Sequence, residues 1–246
     1  MRDLVIYGAS FVDCVKLVDA INRARPAWRI RGFLDDTPGW KGKRVLGHPV
    51  LGGKELVAAL AKEAQTDFFN NVRGTPERCE IIARRLREAG RESVSLVHPS
   101  VDLAYVKLGP GCSISDGCVI AARTSLGACV TARIGCVISH DAAIGDFVLL
   151  GPGVTVGSHV KIGARALIGA GATVLTRMAI GANATVGAGA VVTRPVAARV
   201  SVSGVPARPM VRSAAPRAAT TRPDPAPPAK ARGKAAAAKG AKRSRK

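Results

Sequence analysis

Two hydrophobic rhythms divide this chain. Up to residue 97, short apolar runs alternate with apolar residues at helical spacing. Leu4 to Tyr7 is such a run and ends at Gly8. Phe11, Val15, Val18 and Ile21 then share one face of a helix. Trp28 to Leu34 is extended and stops at Asp35-Asp36. Lys54 to Ala64 returns to helical spacing through Leu56, Val57, Leu60 and Ala64, and Thr66 to Val72 reads as a strand. Thr75 offers an N-cap with Pro76 at the first helical position, Gly90 supplies the stop, and Ser93 to Val97 closes the set. Strand and helix alternating at this spacing predict a small parallel sheet flanked by helices, a Rossmann-like domain over residues 1–97.

From residue 98 to 197 the rhythm is six. Every sixth position from Leu108 to Val192 is Leu, Ile or Val, with Ala132 the one exception among fifteen, and the register holds without an insertion. Glycine follows the aliphatic directly at nine of these positions, from Gly109 to Gly187. Four residues after it stand small or β-branched residues such as Thr124, Val130, Ala142, Val154 and Ala172. A period of six fits neither an α-helix nor an alternating strand. It fits a coil with flat sides of one hexapeptide each, the aliphatic inward, a small residue beside it and glycine permitting the corner. Three sides per coil make about five stacked coils.

Composition sharpens this reading. The chain has 246 residues, 47% of them apolar but only 4% aromatic, so its interior is built from Val, Ile, Leu and Ala. The net charge of +20 is unevenly placed: residues 211–246 hold eleven of the 37 basic residues and one of the 17 acidic ones. That segment, rich in Ala and Pro, has too little apolar surface to offset chain entropy and is expected to be disordered. Lys239 to Lys246 would attract phosphate or a membrane surface without sequence preference; the plainer reading is a solvated tail with no specific nucleic-acid role. Nowhere do 18 apolar residues run together, so no membrane span is expected. The start of the chain runs straight into a strand, and a cytoplasmic protein is expected. Among the six cysteines, Cys112, Cys118 and Cys136 fall at the inward small position, with Cys118 and Cys136 one coil apart. Cys14 and Cys79 fall in helices and Cys129 at a corner. No CxxC pair exists, so reduced, buried thiols are expected.

The four histidines bound the chemistry. His48 is expected in the Gly-rich loop before the second helix, and His98 lies at the domain junction. His140 and His159 lie in the coils, 19 residues apart with no third partner, so no metal site is expected. His140 stands two places after Ile138 and points out of the coil, with Asp141 next. An imidazole held by a carboxylate keeps one tautomer and suits a general base. The same spacing also fits a surface histidine beside an unrelated aspartate.

Several segments together resemble the sialic-acid O-acetyltransferase and UDP-4-amino-sugar N-acetyltransferase family. They are Tyr7-Gly8-Ala9-Ser10, Phe33-Leu34-Asp35-Asp36, His98-Pro99-Ser100, the run from Ile138 to Asp146 around His140-Asp141, Gly187 to Val192, and Gly204 to Arg208. The resemblance covers nearly all of residues 3–210. It implies a left-handed parallel β-helix with a C-terminal cap over residues 98–210, carried behind an N-terminal sugar-binding domain. It implies a homotrimer that transfers an acyl group, from acetyl-CoA, to the amino or hydroxyl group of a sugar or nucleotide sugar in polysaccharide or glycan synthesis. His140 would take the acceptor's proton, and Asp141 would raise its basicity. Attack on the thioester would be direct, and a backbone N–H at Gly157-Ser158 would meet the oxyanion. Pantetheine would lie against the backbone of Ala170 and Ala188, and Arg194 would approach the CoA phosphates. Gly8, Ala9, Ser10, Asp35 and Asp36 would bind the acceptor.

The sequence departs from that family twice. After Gly8-Ala9-Ser10 the family continues Gly-His-Gly, whereas this chain has Phe11-Val12-Asp13. Phe11 fills space that glycine leaves open, and Asp13 repels phosphate at close range. Leu149 stands where relatives place another histidine near the thioester. Both departures suit a second reading, a catalytically degenerate trimeric scaffold, which the retained His140-Asp141 pair opposes. A sugar-phosphate nucleotidyltransferase would need a longer N-terminal domain and a Gly-rich triphosphate loop.

Overall fold

The computed structural model describes residues 1–73 and 75–210; the expected basic tail lies outside the described residues. The N-terminal part opens with β1 (Arg2–Tyr7), whose Leu4, Val5 and Ile6 are completely buried. It continues through α1 (Asp13–Ala24), β2 (Trp28–Leu34), β3 (Arg44–Val45), β4 (His48–Gly52), a 3-10 turn at Lys54–Leu56, α2 (Val57–Ala61), β5 (Thr66–Asn70) and α3 (Pro76–Glu88). The sheet order is β3-β4-β2-β1-β5, parallel except for the antiparallel edge pair β3-β4. α3 starts as its residues dictate: Thr75 caps it by accepting from the Arg78 N–H, with Pro76 in the first turn.

Three expectations change here. His48 opens a strand instead of lying in a loop, because Val45 and Val50 bury their side chains as a hairpin against β2. The helix expected over 54–64 breaks into a 3-10 turn and the five residues of α2, and the Glu63 carbonyl instead accepts the Thr66 N–H that leads into β5. Ser93 to Val97 does not close the small sheet as one strand. Ser93 bridges Phe68, but Leu96–Val97 pairs with Ser113–Ile114 and is already the first rung of the next unit.

That unit is a left-handed parallel β-helix, a three-sided prism. Fifteen two-residue strands, each ending on one of the sixth-position residues from Leu108 to Val192, stack 18 residues apart. The first face contains Ser113–Ile114, Thr131–Ala132 and Leu149–Leu150. The second contains Val119–Ile120, Val137–Ile138 and Thr155–Val156. The third contains Lys107–Leu108, Ser125–Leu126 and Ala143–Ile144. Inward aliphatics and the small residues four positions later form one continuous core. Each buried aliphatic contributes roughly 1.5–3 kcal/mol.

The corners assign glycine differently from the expectation. The left-handed backbone falls three residues after every one of the sixth-position residues except Val192, at Gly111, Arg123, Cys129, Asp141, Phe147, His159, Arg165 and their equivalents, with φ near +60°. The glycines directly after the aliphatics are needed for closeness instead. A Cβ on Gly157 would stand 2.6 Å from the Thr176 nitrogen, and one on Gly169 2.4 Å from that of Ala188. The next coil is simply too near for a side chain.

The N-terminal sheet and helices cover the first face. Outward-pointing Ser113 and Thr131 are buried there, at 9% and 6% exposure, whereas the equivalent Val119 on the second face is 59% exposed. The joint is polar. The buried Arg73 guanidinium donates from Nη1 to Thr131 Oγ1 at 2.6 Å and lies 5.2 Å from the Phe69 ring centre, while its Nη2 finds no partner among the described residues. Arg165 at a prism corner reaches Glu80 of α3 at 3.4 Å. Arg133, directly after Ala132 where so many coils have glycine, pairs with Asp13 at 3.1 Å and stacks over Phe11 at 5.7 Å. The two residues that replace the family's glycine turn are thus gripped by the prism. All six cysteines are free and buried, as expected.

Candidate active site

The site grows from one prism edge, where the second face turns into the third. Residues two places after the aliphatics form one column along it: Ala122, His140, Ser158, Thr176 and Arg194. Residues three places after form a second column: Arg123, Asp141, His159 and Arg177. The backbone ladder fixes their stacking, since the Asp141 N–H donates to the Ala122 carbonyl, His159 N–H to that of His140 and Arg177 N–H to that of Ser158. A carboxylate tolerates the left-handed corner, where Asp141 has φ 58°.

Asp141 stands at the centre. Its Oδ2 lies 2.6 Å from His140 Nδ1. Arg123, one coil below, grips the same carboxylate with two hydrogen bonds of 2.7 and 2.6 Å. The Arg123 bonds, then the His140 bond, hold Asp141 well below the usual carboxylate range, against the opposing effect of burial. An ionised carboxylate only accepts, so in the neutral imidazole Nδ1 carries the proton and Nε2 the lone pair. His140 is half exposed, and that lone pair is available for proton abstraction.

One coil above, the His159 ring meets the His140 ring edge to face, centroids 5.3 Å apart and planes at 86°. Sequence spacing left this pair without a third partner; the structure supplies Asp141, and the three groups each place a ligand atom within 4.8 Å of the others. They do not suit a cation, because the Arg123 guanidinium already neutralises the one carboxylate at close range.

The Gly157 N–H donates to the Val174 carbonyl at 2.8 Å and is therefore committed to the coil. The Ser158 N–H has no acceptor among the described residues. Ala170 and Ala188 share this property, but they line the opposite edge of the second face, between it and the first. Arg194 is exposed three coils above His140, roughly 14 Å at the strand spacing. His140, Asp141, Ser158 and Arg194 therefore share one edge. Arg123 and His159 join them, missed because only the 18-residue stacking shows which corner residues meet. Leu149 lies away from them, on the first face beneath α3.

The expected acceptor residues gather at the C-terminal ends of β1 and β2. Gly8 has φ +108°, and a Cβ there would press on the Asn71 backbone at 3.0 Å. Buried Ala9 donates its N–H to Asp35 Oδ2 at 2.8 Å, while Ser10 is exposed. Asp35 also receives the Thr37 N–H. Asp36 accepts from Tyr7 Oη at 2.9 Å, Arg85 Nη1 at 2.9 Å and the Lys54 N–H at 2.7 Å. Burial works to raise Asp36, and these bonds overcome it, leaving the carboxyl below its ordinary range. Both carboxylates thus hold the rim of the sheet together. This rim belongs to the sheet over the first face, whereas His140 stands on the edge remote from that face.

Comparison with known proteins agrees with this architecture. Residues 141–176 match the bacterial transferase hexapeptide family of six repeats, and residues 159–194 match the hexapeptide repeat of succinyl-transferase. No curated protein matches the chain. Among solved structures, an alanine-for-histidine mutant of GDP-perosamine N-acetyltransferase from Caulobacter crescentus, in complex with CoA and GDP-perosamine, is 28% identical. The match covers 86% of this chain and 98% of that one, with a TM-score of 0.78. The acetyltransferase domain of PglB from Neisseria gonorrhoeae, in complex with acetyl coenzyme A, is 25% identical over 85% of this chain and 99% of that one, with a TM-score of 0.75. WeeI from Acinetobacter baumannii is likewise 25% identical, over 85% of this chain and all of that one, with a TM-score of 0.74. With its unbroken hexapeptide prism behind a small N-terminal sheet, the chain has the fold of these sugar N-acetyltransferases and carries their hexapeptide repeat, consistent with the sialic-acid O-acetyltransferase and UDP-4-amino-sugar N-acetyltransferase family that its motifs resemble.

Proposed function

We propose that this protein transfers an acetyl group from acetyl-CoA to an amino or hydroxyl group of a sugar, in polysaccharide or glycan synthesis in the cytoplasm. The observation that carries the reading is the Arg123-Asp141-His140 chain of hydrogen bonds, which leaves one basic imidazole nitrogen facing outward. The acceptor nitrogen or oxygen attacks the thioester carbonyl carbon as His140 Nε2 takes its proton. The Ser158 N–H receives the oxyanion. Collapse breaks the carbon–sulfur bond, and the His140 proton passes to the departing thiolate. Arg194 of the His140 edge fits the CoA phosphates, having no ion pair among the described residues, and Ala170 and Ala188, on the opposite edge, fit the pantetheine arm from a neighbouring protomer, their N–H groups being uncommitted among the described residues.

The separation of the sheet rim from His140 supports a homotrimer. An acceptor held by Gly8, Ala9, Ser10, Asp35 and Asp36 of one protomer lies over the first face, so it meets the His140 edge of a neighbour more readily than its own. Exposed Val119 and Val137 on the second face suit such packing. A nucleotide-linked sugar is the acceptor class suggested by the GDP-perosamine complex. The test is release of CoA from acetyl-CoA with a panel of nucleotide sugars and free amino sugars, wild type beside His140→Ala. Acceptor-dependent release that His140→Ala abolishes supports the proposal. Two equally inert proteins would leave the scaffold reading, which the engagement of Phe11 and Asp13 by Arg133 favours.

A further inference from the structure

Resting on that reaction, we infer that His159 is a second catalytic residue, donating a side-chain hydrogen bond to the thioester oxygen beside the Ser158 N–H. Four observations carry this. His159 follows Ser158 directly in the chain, next to an N–H that has no acceptor among the described residues. Its own ring nitrogens have no hydrogen-bond partner among the described residues, although the ring is held edge to face against the proposed base at 5.3 Å. It sits in the coil above His140, where the proposal requires the oxygen of an acyl carbon attacked by an acceptor at His140. Finally, the corner does not require it: Arg123, Arg177 and Gly153 hold the same left-handed position at equivalent corners. A histidine in left-handed backbone costs on the order of 1 kcal/mol relative to glycine, and at this exposed corner it buries little in return beyond its contact with His140.

A neutral imidazole with one N–H fits the task. A second permanent cation beside Arg123 would oppose the proton that His140 must accept, whereas a neutral donor strengthens as negative charge develops on oxygen. The backbone donor at 158 and the side-chain donor at 159 would then share the oxyanion, with the base one coil below.

The experiment separates a donor from a spacer. His159→Leu removes the N–H, and His159→Asn retains an amide N–H. Calorimetry measures binding of two unreactive CoA thioethers, S-acetonyl-CoA with a ketone and S-propyl-CoA without one. His159→Leu is expected to lose about fivefold in affinity for the ketone and none for the propyl compound. Its kcat is expected to fall about 100-fold with the acceptor KM unchanged. His159→Asn recovers part of both. Equal loss of both analogues, or no loss of either, overturns the inference. Because binding is read without turnover, this result stands apart from the fate of the base: full activity in His140→Ala would refute the proposed mechanism and leave the ketone preference as an independent result.

Discussion

Arg123 reaches up one coil to hold Asp141 by both carboxylate oxygens, at 2.7 and 2.6 Å, while Asp141 holds His140. The two residues are 18 apart and meet only because one turn of the prism takes 18 residues. Their bond fixes the carboxylate plane, and through it the imidazole.

Arg123→Leu is therefore expected to lower kcat about tenfold, a smaller effect than loss of the base, which costs roughly 10²–10⁴. Arg123→Lys should recover part of the loss, because it restores charge without the bidentate geometry. Steady-state CoA release with the preferred acceptor checks both.

Gly157 and Gly153 separate two reasons for glycine. Gly157→Ala drives a Cβ to 2.6 Å from the Thr176 nitrogen and displaces Ser158, whereas Gly153 has φ +67° with nothing within 4 Å of the added carbon. Thermal unfolding should show Gly153→Ala costing about 1 kcal/mol and Gly157→Ala costing more, with a lowered kcat as well. Gly153→Asn should be milder than Gly153→Ala, as Asn183 already occupies an equivalent corner.

Arg73 tests how a buried charge is tolerated at the joint. Thr131→Val removes its one side-chain acceptor among the described residues and should cost about 1.5–3 kcal/mol by chemical denaturation. Arg73→Met, similar in length and uncharged, should be nearly neutral or stabilising.

Acid should act first on the N-terminal sheet. Burial raises Asp36 and Asp67, but Tyr7 and Arg85 at the first, and Arg2 and Trp28 at the second, lower them further, so both titrate below their ordinary value of 3.8. A carboxyl depressed on folding contributes stability that is fully present above its unfolded value and is lost as pH falls through the folded one. Stability should therefore fall below about pH 4, and Asp67→Asn should lower stability at neutral pH while flattening that acid limb. Unfolding midpoints across the acid range decide this.

Arg133→Ala should loosen Phe11 and Asp13 at a cost of about 1 kcal/mol. If these residues close the strand ends against phosphate, Phe11→Gly/Asp13→Gly should show a larger thermal shift with nucleotide sugars than wild type does.

The prism was legible in the sequence because its geometry is local and repeated. An aliphatic every sixth residue, a small residue four later and no insertion leave one way to bury Ile138, Ile144 and Leu150 together, and the observed strands end on those positions. His140 and Asp141 were legible too, being adjacent and outward. The reason for glycine after the aliphatics is not legible in the same way: periodicity marks that Gly157 matters, but only the neighbouring coil shows that Thr176 lies too close for a side chain. Likewise, the hairpin at His48 and the transfer of Leu96–Val97 to the prism depend on partners distant in sequence.

By itself the sequence determined the repeat, its register, its buried aliphatics and the side on which His140 emerges, because each follows from which residues must avoid water. Tertiary structure alone decided that Arg123 and His159 join that histidine, that Gly157 has no N–H to spare, and that Arg133 holds Phe11 and Asp13. Those are pairings between coils and between domains, and pairings are set by the distance across the fold rather than by the order along the chain.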